Sequence, residues 1–285
     1  MKKNLNPIRI IPFLDIKNGL LIKGINLEGL RVLGKARDFS NYYYKSGADE
    51  ICYIDNVATL YGTNNLSNFI TDTAKDVFIP LSVGGGIRSI DDMKKMFSAG
   101  ADKICINSSI IENPNLLERA AKIFGSANIT IMIQSIRVDA KYNVSKANGR
   151  DLANINPVKW AKKVENYGAG EIILTSVNNE GLKKGFDIKL TNAVSRSVNI
   201  PVIAHGGAGN FKDIYEVIKK TKISGVGLAS ILHYDALNYF PKFDPKVGNT
   251  TYLKNISKPK NKKNIIHQLK KYLSLKGIKV RNEKK

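Results

Sequence analysis

A repeat of about 121 residues runs through the sequence and limits the possible folds more than any other feature does. The segment "SGADEICYID", which starts at Ser46, matches "YGAGEIILTS", which starts at Tyr167. The segment "VGGGIRSIDD" from Val83 matches "HGGAGNFKDI" from His205, and "INSSI" matches "LASIL" later in the chain. Because the three pairs share an offset of 121 or 122 positions, the chain consists of two similar halves.

Each half contains short β-branched runs that alternate with helical patterns. Eight such runs occur between residues 9 and 232: RIIPFLDI, EICYID, VFIPLSV, KICIN, ITIMIQ, EIILTSV, IPVIAH and GVGLAS. Alternating strands and helices form parallel sheets, and eight units close into a barrel. The sequence therefore predicts an α/β fold, a single (β/α)8 TIM barrel over residues 1–285 built from two (βα)4 half-barrels. We place these at about 8–126 and 127–234, followed by a basic insertion at about 235–262 and a final helix at about 263–276.

Capping residues indicate where three of the helices begin and end. Ser89 precedes "IDDMKKMF" and is followed three positions later by an acidic residue, which is a capping box. In "NPNLLERAAKIFG", Asn113 is the predicted N-cap, a proline lies in the first turn and Gly125 ends the helix. The segment "NPVKWAKKVENYG" repeats this pattern from Asn156 to Gly168.

Composition limits the compartments and chemistries open to the chain. No run of 18 apolar residues is present, and the first 15 residues lack the apolar stretch and cleavage site of a signal peptide. We therefore expect a cytoplasmic protein that does not interact with membranes. Cys52 and Cys105 each lie inside a strand-like run and form no Cys/His cluster. They are expected to be buried thiols, and no metal or cofactor is predicted.

The net charge of +21 raises the question of nucleic-acid binding. Residues 233–285 hold 14 Lys and Arg against 3 Asp and Glu, so +11 of this charge lies in the C-terminal part. The lysines there occur with asparagine, as in "ISKPKNKKN", and with few aromatic residues. This composition favours a solvated surface segment over a base-stacking surface, so nucleic acid is not an expected partner.

Glycine runs and small polar residues follow the predicted strands at equivalent places in both halves. They are Gly85, Gly86, Asn107 and Ser108 in the first half, and Gly206, Gly207 and Ser230 in the second. The C-terminal ends of barrel strands form the active face, and glycine lets a phosphate approach backbone N–H groups. Two related cradles predict a phosphorylated small-molecule ligand that carries phosphate at both ends and lies across the barrel mouth.

Between the cradles, the ends of the first and fifth strands should face each other. The first strand offers Asp15, and the corresponding residue of the fifth, 119 positions later, is Gln134. Two carboxylates here could divide the roles of general acid and general base, but glutamine has no proton to exchange. Losing one such group typically costs about 10² to 10⁴ in rate.

Taken together, these segments resemble a known family. "RIIPFLDIKNGLLIKG", "GADEICYIDN", "VGGGI", "GADKICINSS", "GAGEIILTS" and "HGGAGN", in this order, resemble the cyclase subunit of imidazole glycerol phosphate synthase over about residues 8–234. The tail "IIHQLKKYLSLKGIKV" also resembles the last helix of that family. The resemblance implies a histidine-biosynthesis barrel that binds a glutaminase subunit at its N-terminal face. Ammonia would pass through the barrel to a bisphosphorylated ribulosyl aminoimidazole carboxamide nucleotide, and imidazole glycerol phosphate and an aminoimidazole ribotide would be released.

The resemblance also implies roles for individual residues. Asp15 matches one of the two catalytic aspartates, and Gln134 occupies the position of the other. The positions implied to contact substrate or phosphate are Lys23 on the first loop, Asp55 at the end of the second strand, Gly85, Gly86, Asn107, Ser108, Gly181, His205, Gly206, Gly207 and Ser230. The four charged residues that match an ammonia gate at the barrel base are Arg9, Glu50, Lys103 and Glu171. Salt bridges that only stabilise the strand bottoms are the alternative interpretation of this set.

The departures from the family pattern lie at the mouth. Besides Gln134, Asn178 and Glu180 stand where the family has aspartates, and His205 stands where it has serine. A histidine here is either structural or a substrate contact. The segment 235–262 has no counterpart in the family pattern.

Three functional hypotheses follow. The first is a paralogue that takes glutaminase-derived ammonia and supports amidation of an N-acetylated sugar in surface-polysaccharide synthesis, acting mainly as an ammonia conduit. The second is the authentic histidine enzyme, with the substitution at Gln134 tolerated or with a neighbouring residue supplying the proton. The third is a non-enzymatic binding module that uses its basic surface, for which strong salt dependence of polynucleotide binding would be the signature.

Overall fold

The computed structural model describes residues 6–55, 66–240 and 264–281. In chain order the elements are β1 (Arg9–Lys17), β2 (Leu20–Ile25), β3 (Glu28–Lys35), α1 (Ala36–Lys45), β4 (Ile51–Asp55), α2 (Leu66–Ala74), β5 (Leu81–Gly84), α3 (Ile90–Ser98), β6 (Lys103–Ile106), α4 (Ser108–Glu112), α5 (Asn115–Phe124), β7 (Ile129–Val138), β8 (Lys141–Lys146), β9 (Asp151–Leu152), α6 (Pro157–Asn166), β10 (Glu171–Ser176), α7 (Ile188–Ser195), β11 (Val202–His205), α8 (Phe211–Lys220), β12 (Gly225–Leu228), α9 (Ser230–Ala236) and α10 (Ile265–Leu275). A short 3-10 helix, Ser126–Asn128, precedes β7.

Eight parallel strands close into a barrel. They follow the order β10, β11, β12, β1, β4, β5, β6, β7, and β7 pairs with β10 to complete the circle. At the closure Ile133 lies beside Leu174, and on the opposite side Ile10 lies beside Val226. The predicted (β/α)8 barrel is therefore confirmed.

Each half-barrel carries a β-hairpin after its first strand. β2 and β3 follow β1, and β8 and β9 follow β7. The turns that start these hairpins, Asn18–Gly19 and Asp139–Ala140, have positive φ at both residues, as type I′ hairpin turns require. The repeat therefore includes the hairpins that extend over the mouth, which the sequence analysis did not predict.

Side chains inside the barrel form layers because alternate residues of each strand point inward. The lowest layer is charged and contains the predicted gate residues. Above it lies an apolar layer composed of Ile11, Phe13, Cys52, Ile54, Cys105, Met132, Ile173 and Ile203. Both cysteines in it are buried, free thiols. The highest layer, at the C-terminal strand ends, includes Asp15, Gln134 and His205.

The outer helices pack their apolar faces on the barrel, and most capping predictions are confirmed. Ser89 forms a capping box with Asp92, and Asn156 accepts hydrogen bonds from two backbone N–H groups at the start of α6. For α5 the predicted end at Gly125 is confirmed, but the predicted N-cap, Asn113, was wrong. Its N-cap is Pro114, without a side-chain hydrogen bond, because Asn113 is the C-cap of the preceding helix α4.

The C-terminal segment packs on the N-terminal side of the barrel. In α10 the ammonium of Lys270 lies 2.7 Å from the carboxylate of Asp49, and both are buried. Val280 forms a β-bridge with Ile8. The predicted final helix matches α10, whereas the predicted insertion starts inside α9, and its residues 241–262 lie outside the described residues.

Within residues 6–55, 66–240 and 264–281, no helix has the length and apolarity that a membrane span needs.

Candidate functional site

The four predicted gate residues form a closed ion ring at the base of the barrel. Arg9 contacts Glu50 at 2.9 Å and also bonds to Glu171. Lys103 contacts both carboxylates at 3.0 Å. Because Glu50 and Glu171 are 121 positions apart, the two acids occupy equivalent places in the two halves, and each cation bridges the halves.

The ring is charged but balanced. The two carboxylates are almost fully buried, whereas the side chains of Arg9 and Lys103 keep 26% and 18% of their surface exposed. Burial alone would lower the pKa of Arg9, but hydrogen bonds and charge from Glu171 and Glu50 raise it above its ordinary value. The hydroxyl of Ser82 donates to Glu50 at 2.5 Å. The base of the barrel is therefore closed by a layer of two positive and two negative side chains that neutralise one another.

The first cradle opens into a cavity of about 410 Å³ at the ends of β4, β5, β6 and β7. This volume is in the range of small-molecule sites. The predicted residues that line it are Asp55, Gly85, Gly86, Asn107, Ser108 and Gln134. Gly85 has a φ of +104°, and a Cβ there would lie 2.3 Å from the backbone oxygen of Asp55, so no other residue fits.

Gln134 lies in the wall of this cavity and is buried. Its side-chain oxygen accepts a hydrogen bond from the amide of Asn107 at 3.1 Å, and its amide nitrogen lies 3.5 Å from the side-chain oxygen of Asn148. The side-chain partners of Gln134 among the described residues are therefore amides. An amide cannot exchange a proton on behalf of Gln134 as a carboxylate could.

Asp15 occupies the equivalent position in the first half. It pairs with Ile54 of β4, as Gln134 pairs with Thr175 of β10, and Ile54 and Thr175 are 121 positions apart. Asp15 is buried at the mouth but lies outside the lining of the 410 Å³ cavity. The structure thus supports the predicted correspondence of the two residues along the barrel axis.

The second cradle is much smaller, at about 10 Å³. Such a volume holds about one water molecule. The predicted residues that line it are Gly181, His205, Gly206, Gly207 and Ser230, and Lys183 also contributes. The two cradles are therefore similar in backbone but differ in the space that they offer.

A buried ion pair fastens the β2–β3 hairpin beside the second cradle. The ammonium of Lys23 bonds to the carboxylate of Glu180, and each side chain is only 1% exposed. Glu180 also accepts a hydrogen bond from the backbone N–H of Leu27 at 3.1 Å, and Asn26 donates to the backbone oxygen of Val177 at 2.7 Å. The sequence identified Lys23 as a substrate contact, but in this structure Glu180 holds it.

His205 is a buried, neutral group in the wall of the second cradle. Its ring stacks on Phe13 with the centroids 4.0 Å apart, and its Nδ1 lies 3.0 Å from the hydroxyl of Thr175. Burial, together with the charge of Lys23, lowers the pKa of His205 to about 3. His205 is thus an uncharged hydrogen-bonding group at neutral pH, and it lines the cradle as well as packing in the interior.

Sequence reasoning missed Asn148 and Lys183 as site residues. Asn148 belongs to the turn between β8 and β9, and Lys183 lies over the ring of Tyr234 at 4.3 Å while lining the second cradle. The dipeptide Asn148–Gly149 could have indicated a hairpin at this place, since Asn-Gly is a strong turn signal. Nothing in the sequence around Lys183 indicates its position.

Comparison with known proteins supports the same family. Residues 9–238 match the family described as "Histidine biosynthesis protein". Three relatives are each named "Imidazole glycerol phosphate synthase subunit HisF". The protein of Legionella pneumophila is 48% identical over 207 residues, which cover 72% of this chain and 98% of the relative. That of Bacillus cereus (strain G9842) is 45% identical over 227 residues, covering 79% and 90%. That of Lactococcus lactis subsp. cremoris (strain SK11) is 46% identical over 233 residues, covering 79% and 88%.

The match covers all eight barrel strands, from β1 to β12, and the relatives are covered almost completely. The site described above, with two cradles at the mouth and an ion ring at the base, lies entirely within the matched region. The chain therefore belongs to the histidine biosynthesis protein family, in its HisF group.

Proposed function

We propose that this chain is the barrel subunit of an imidazole glycerol phosphate synthase. In this role it adds ammonia to a bisphosphorylated ribulosyl aminoimidazole carboxamide nucleotide and releases imidazole glycerol phosphate and aminoimidazole carboxamide ribotide. Relatives that are 45% and 48% identical to it carry the name of that enzyme. The sequence alone favoured a paralogue that supports sugar amidation, and the names of the relatives favour the cyclase instead.

The observation that carries the proposal is the order of environments along the barrel axis. The ion ring at the base lies where a glutaminase partner would bind, and the apolar layer lies directly above it. An apolar layer admits neutral ammonia far more easily than ammonium, because an unpaired buried charge is very costly. Ammonia that enters at the ring would reach the polar mouth, where the first cradle, with a cavity of about 410 Å³, has room for a phosphate end of the ligand.

Proton transfer at the mouth would depend on Asp15. Addition of ammonia to a carbonyl carbon requires that a proton leaves nitrogen and that a proton reaches oxygen. Asp15 can do both in turn, whereas the amide of Gln134 can only hold the substrate through hydrogen bonds. We therefore expect cyclisation that is slower, by about 10² to 10⁴, than with two carboxylates.

A second candidate function is favoured by Gln134 and by the pairing of Lys23 with Glu180. Gln134 replaces a residue to which the family resemblance assigns proton transfer, and Glu180 holds the lysine that the resemblance assigns to substrate contact. In this alternative the barrel delivers glutaminase-derived ammonia to a separate amidotransferase that acts on an N-acetylated sugar in surface-polysaccharide synthesis. The barrel would then keep the ammonia path without carrying out the ring closure.

The test is cyclisation of the bisphosphorylated nucleotide by the full-length chain, with an ammonium salt as the nitrogen source. We expect measurable turnover in the wild type, a decrease of at least about 10² in Asp15→Asn and an increase of at least about tenfold in Gln134→Asp. The matched control is Asp91→Asn, which removes one carboxylate from the exposed face of α3 and should not change the rate.

The outcomes separate the candidates. No turnover in the wild type but turnover in Gln134→Asp would favour the ammonia-delivering paralogue, since the binding site would then be intact and only the proton carrier missing. No turnover in either protein would show that the cyclase proposal is wrong. Co-purification with a glutaminase would support ammonia use under both candidates.

A further inference from the structure

Asn107, Gln134 and Asn148 form a group of three side-chain amides in the wall of the first cradle, which we call the amide wall. All three line the 410 Å³ cavity. Asn107 follows β6, Gln134 lies on β7, and Asn148 belongs to the turn after β8. The amide wall presents hydrogen-bonding groups to a ligand but carries no charge at neutral pH.

A backbone carbonyl fixes the orientation of these amides. The side-chain nitrogen of Asn107 lies 3.4 Å from the backbone oxygen of Ser145, which can only accept a hydrogen bond. The same nitrogen lies 3.1 Å from Gln134, so Gln134 must turn its oxygen toward Asn107. The amino group of Gln134 therefore points the other way, toward Asn148 and the cavity.

The strand that supplies this carbonyl also holds Gln134 in place. Ser145 of β8 pairs with Gln134 in the antiparallel ladder, and its hydroxyl donates to the backbone oxygen of Gln134 at 3.2 Å. Gln134 is 5% exposed. Its side chain is thus a preorganised hydrogen-bond donor rather than a mobile surface group.

The acceptor of the amide wall is the side-chain oxygen of Asn107. This oxygen is buried and has no hydrogen-bond partner among the residues that the structure describes. A buried polar atom without a hydrogen-bond partner raises the free energy of the protein. A ligand that donates a hydrogen bond to this oxygen would therefore be bound more tightly. The amide wall therefore offers one N–H donor, from Gln134, beside one unsatisfied acceptor, from Asn107.

We propose that the amide wall binds a carboxamide group of the ligand and that Gln134 is the positioning residue that selects it over a carboxylate. The carboxamide oxygen accepts from the amino group of Gln134, and the carboxamide nitrogen donates to the oxygen of Asn107. A carboxylate in the same place brings a second acceptor against the oxygen of Asn107 and has no proton to give it. The inference rests on the proposed function, because one product of that reaction carries both a carboxamide, on its imidazole ring, and a phosphate, on its ribose.

The test is calorimetric titration of the full-length protein with aminoimidazole carboxamide ribotide and with the matching carboxylate ribotide, without ammonia. We expect the wild type to bind the carboxamide at least about tenfold more tightly. Gln134→Glu keeps the shape of the side chain but replaces the donor by an acceptor, and should weaken carboxamide binding by about tenfold or more. Gln134→Met removes the donor without adding a charge and should give an intermediate affinity.

Three controls address a merely structural role. Asn192→Asp introduces the same change of charge on α7, outside the cavity lining, and should leave the affinity unchanged within about twofold. Lowering the pH toward about 5 protonates part of the carboxyl that Gln134→Glu introduces, which restores a donor, so the affinity of this variant should approach that of the wild type at the same pH. Thermal unfolding of each variant reports whether it has folded.

Equal affinity of the wild type for the two ribotides would overturn the proposal, as would equal carboxamide affinity in the wild type, Gln134→Met and Gln134→Glu. These results are independent of turnover. A carboxamide preference that depends on Gln134 in a protein without cyclase activity would support the amide wall while the proposed function fails. Turnover without such a preference would support the proposed function while the amide wall fails.

Discussion

The protein should lose stability in mild acid because two histidines are buried in their neutral form. His205 and His233 both have a pKa of about 3, lowered first by burial and then by the charge of Lys23. Both rings are also held by neutral partners. The Nδ1 of His233 lies 2.7 Å from the hydroxyl of Tyr43, and its Nε2 lies 3.0 Å from the backbone oxygen of Phe13.

The sign of the effect follows from proton counting. An unfolded chain binds a proton on each histidine near pH 6.5, about 3.5 pH units above the folded protein, so the unfolded state holds more protons between these values. Stability is complete above about pH 6.5 and decreases as the pH falls. Between about pH 7.5 and 5, each histidine should cost about 2 kcal/mol of unfolding free energy, and the pair about 4 kcal/mol.

Urea unfolding at a series of pH values between about 7.5 and 5 measures this loss, before most carboxylates titrate. The informative variant is His205→Ser, which should be less stable at every pH because a stacked ring is removed, but should lose only about half as much between the two pH values. The control is His267→Asn, on the exposed side of α10, which should retain the wild-type loss. An equal loss in His205→Ser and in the wild type would refute the assignment of His205 as a buried neutral group.

Two further predictions concern the hairpin and the first cradle. Lys23→Met leaves the Glu180 carboxylate buried without its cation, which should cost about 3 to 5 kcal/mol or open the hairpin. Urea unfolding and amide hydrogen exchange at Leu27 measure the two effects, and Lys23→Met combined with Glu180→Leu should recover most of the loss; no recovery would contradict the pairing. Gly85→Ala should abolish binding of aminoimidazole carboxamide ribotide in a titration, because the added Cβ would lie 2.3 Å from a backbone oxygen. The control is Gly29→Ala, where nothing lies within 4 Å of the added Cβ. This variant should cost only about 1 kcal/mol of unfolding free energy. Full affinity in Gly85→Ala would show that the ligand binds elsewhere.

The sequence was sufficient for the barrel because its evidence is local and repeated. Strand periodicity, capping residues such as Ser89 and the glycine-rich turns after strands can each be recognised within a few positions, and the repeat shows every unit twice. Contacts between distant segments were not predictable in the same way. Lys23 and Glu180 are 157 positions apart, and no local pattern around either residue indicates that they would pair.

The orientation of Gln134 shows a second limit of sequence reasoning. The sequence predicts that this residue corresponds to Asp15 in the repeat, and the strand register agrees with that position. Which atom it turns toward the ligand is decided by the carbonyl of Ser145, on a hairpin that the sequence analysis did not identify. A dipole can be assigned only when its neighbours are known, because an amide fits its site about equally well in two orientations.

The two halves share the glycines that their backbones require and differ in the side chains that face the two cradles. Gly85 and Gly206 have φ values of +104° and +90°, and a Cβ on either would meet the backbone oxygen of Asp55 or Ser176 at 2.3 and 2.8 Å. Asp55 and Ser176 are themselves 121 positions apart, so both halves impose the same steric demand, and glycine satisfies it in each. At the positions whose side chains face the cradles, the backbone imposes no such steric requirement. The first half of the mouth could therefore become an open, uncharged amide wall while the second became a closed cradle beside a buried ion pair, within one symmetric backbone.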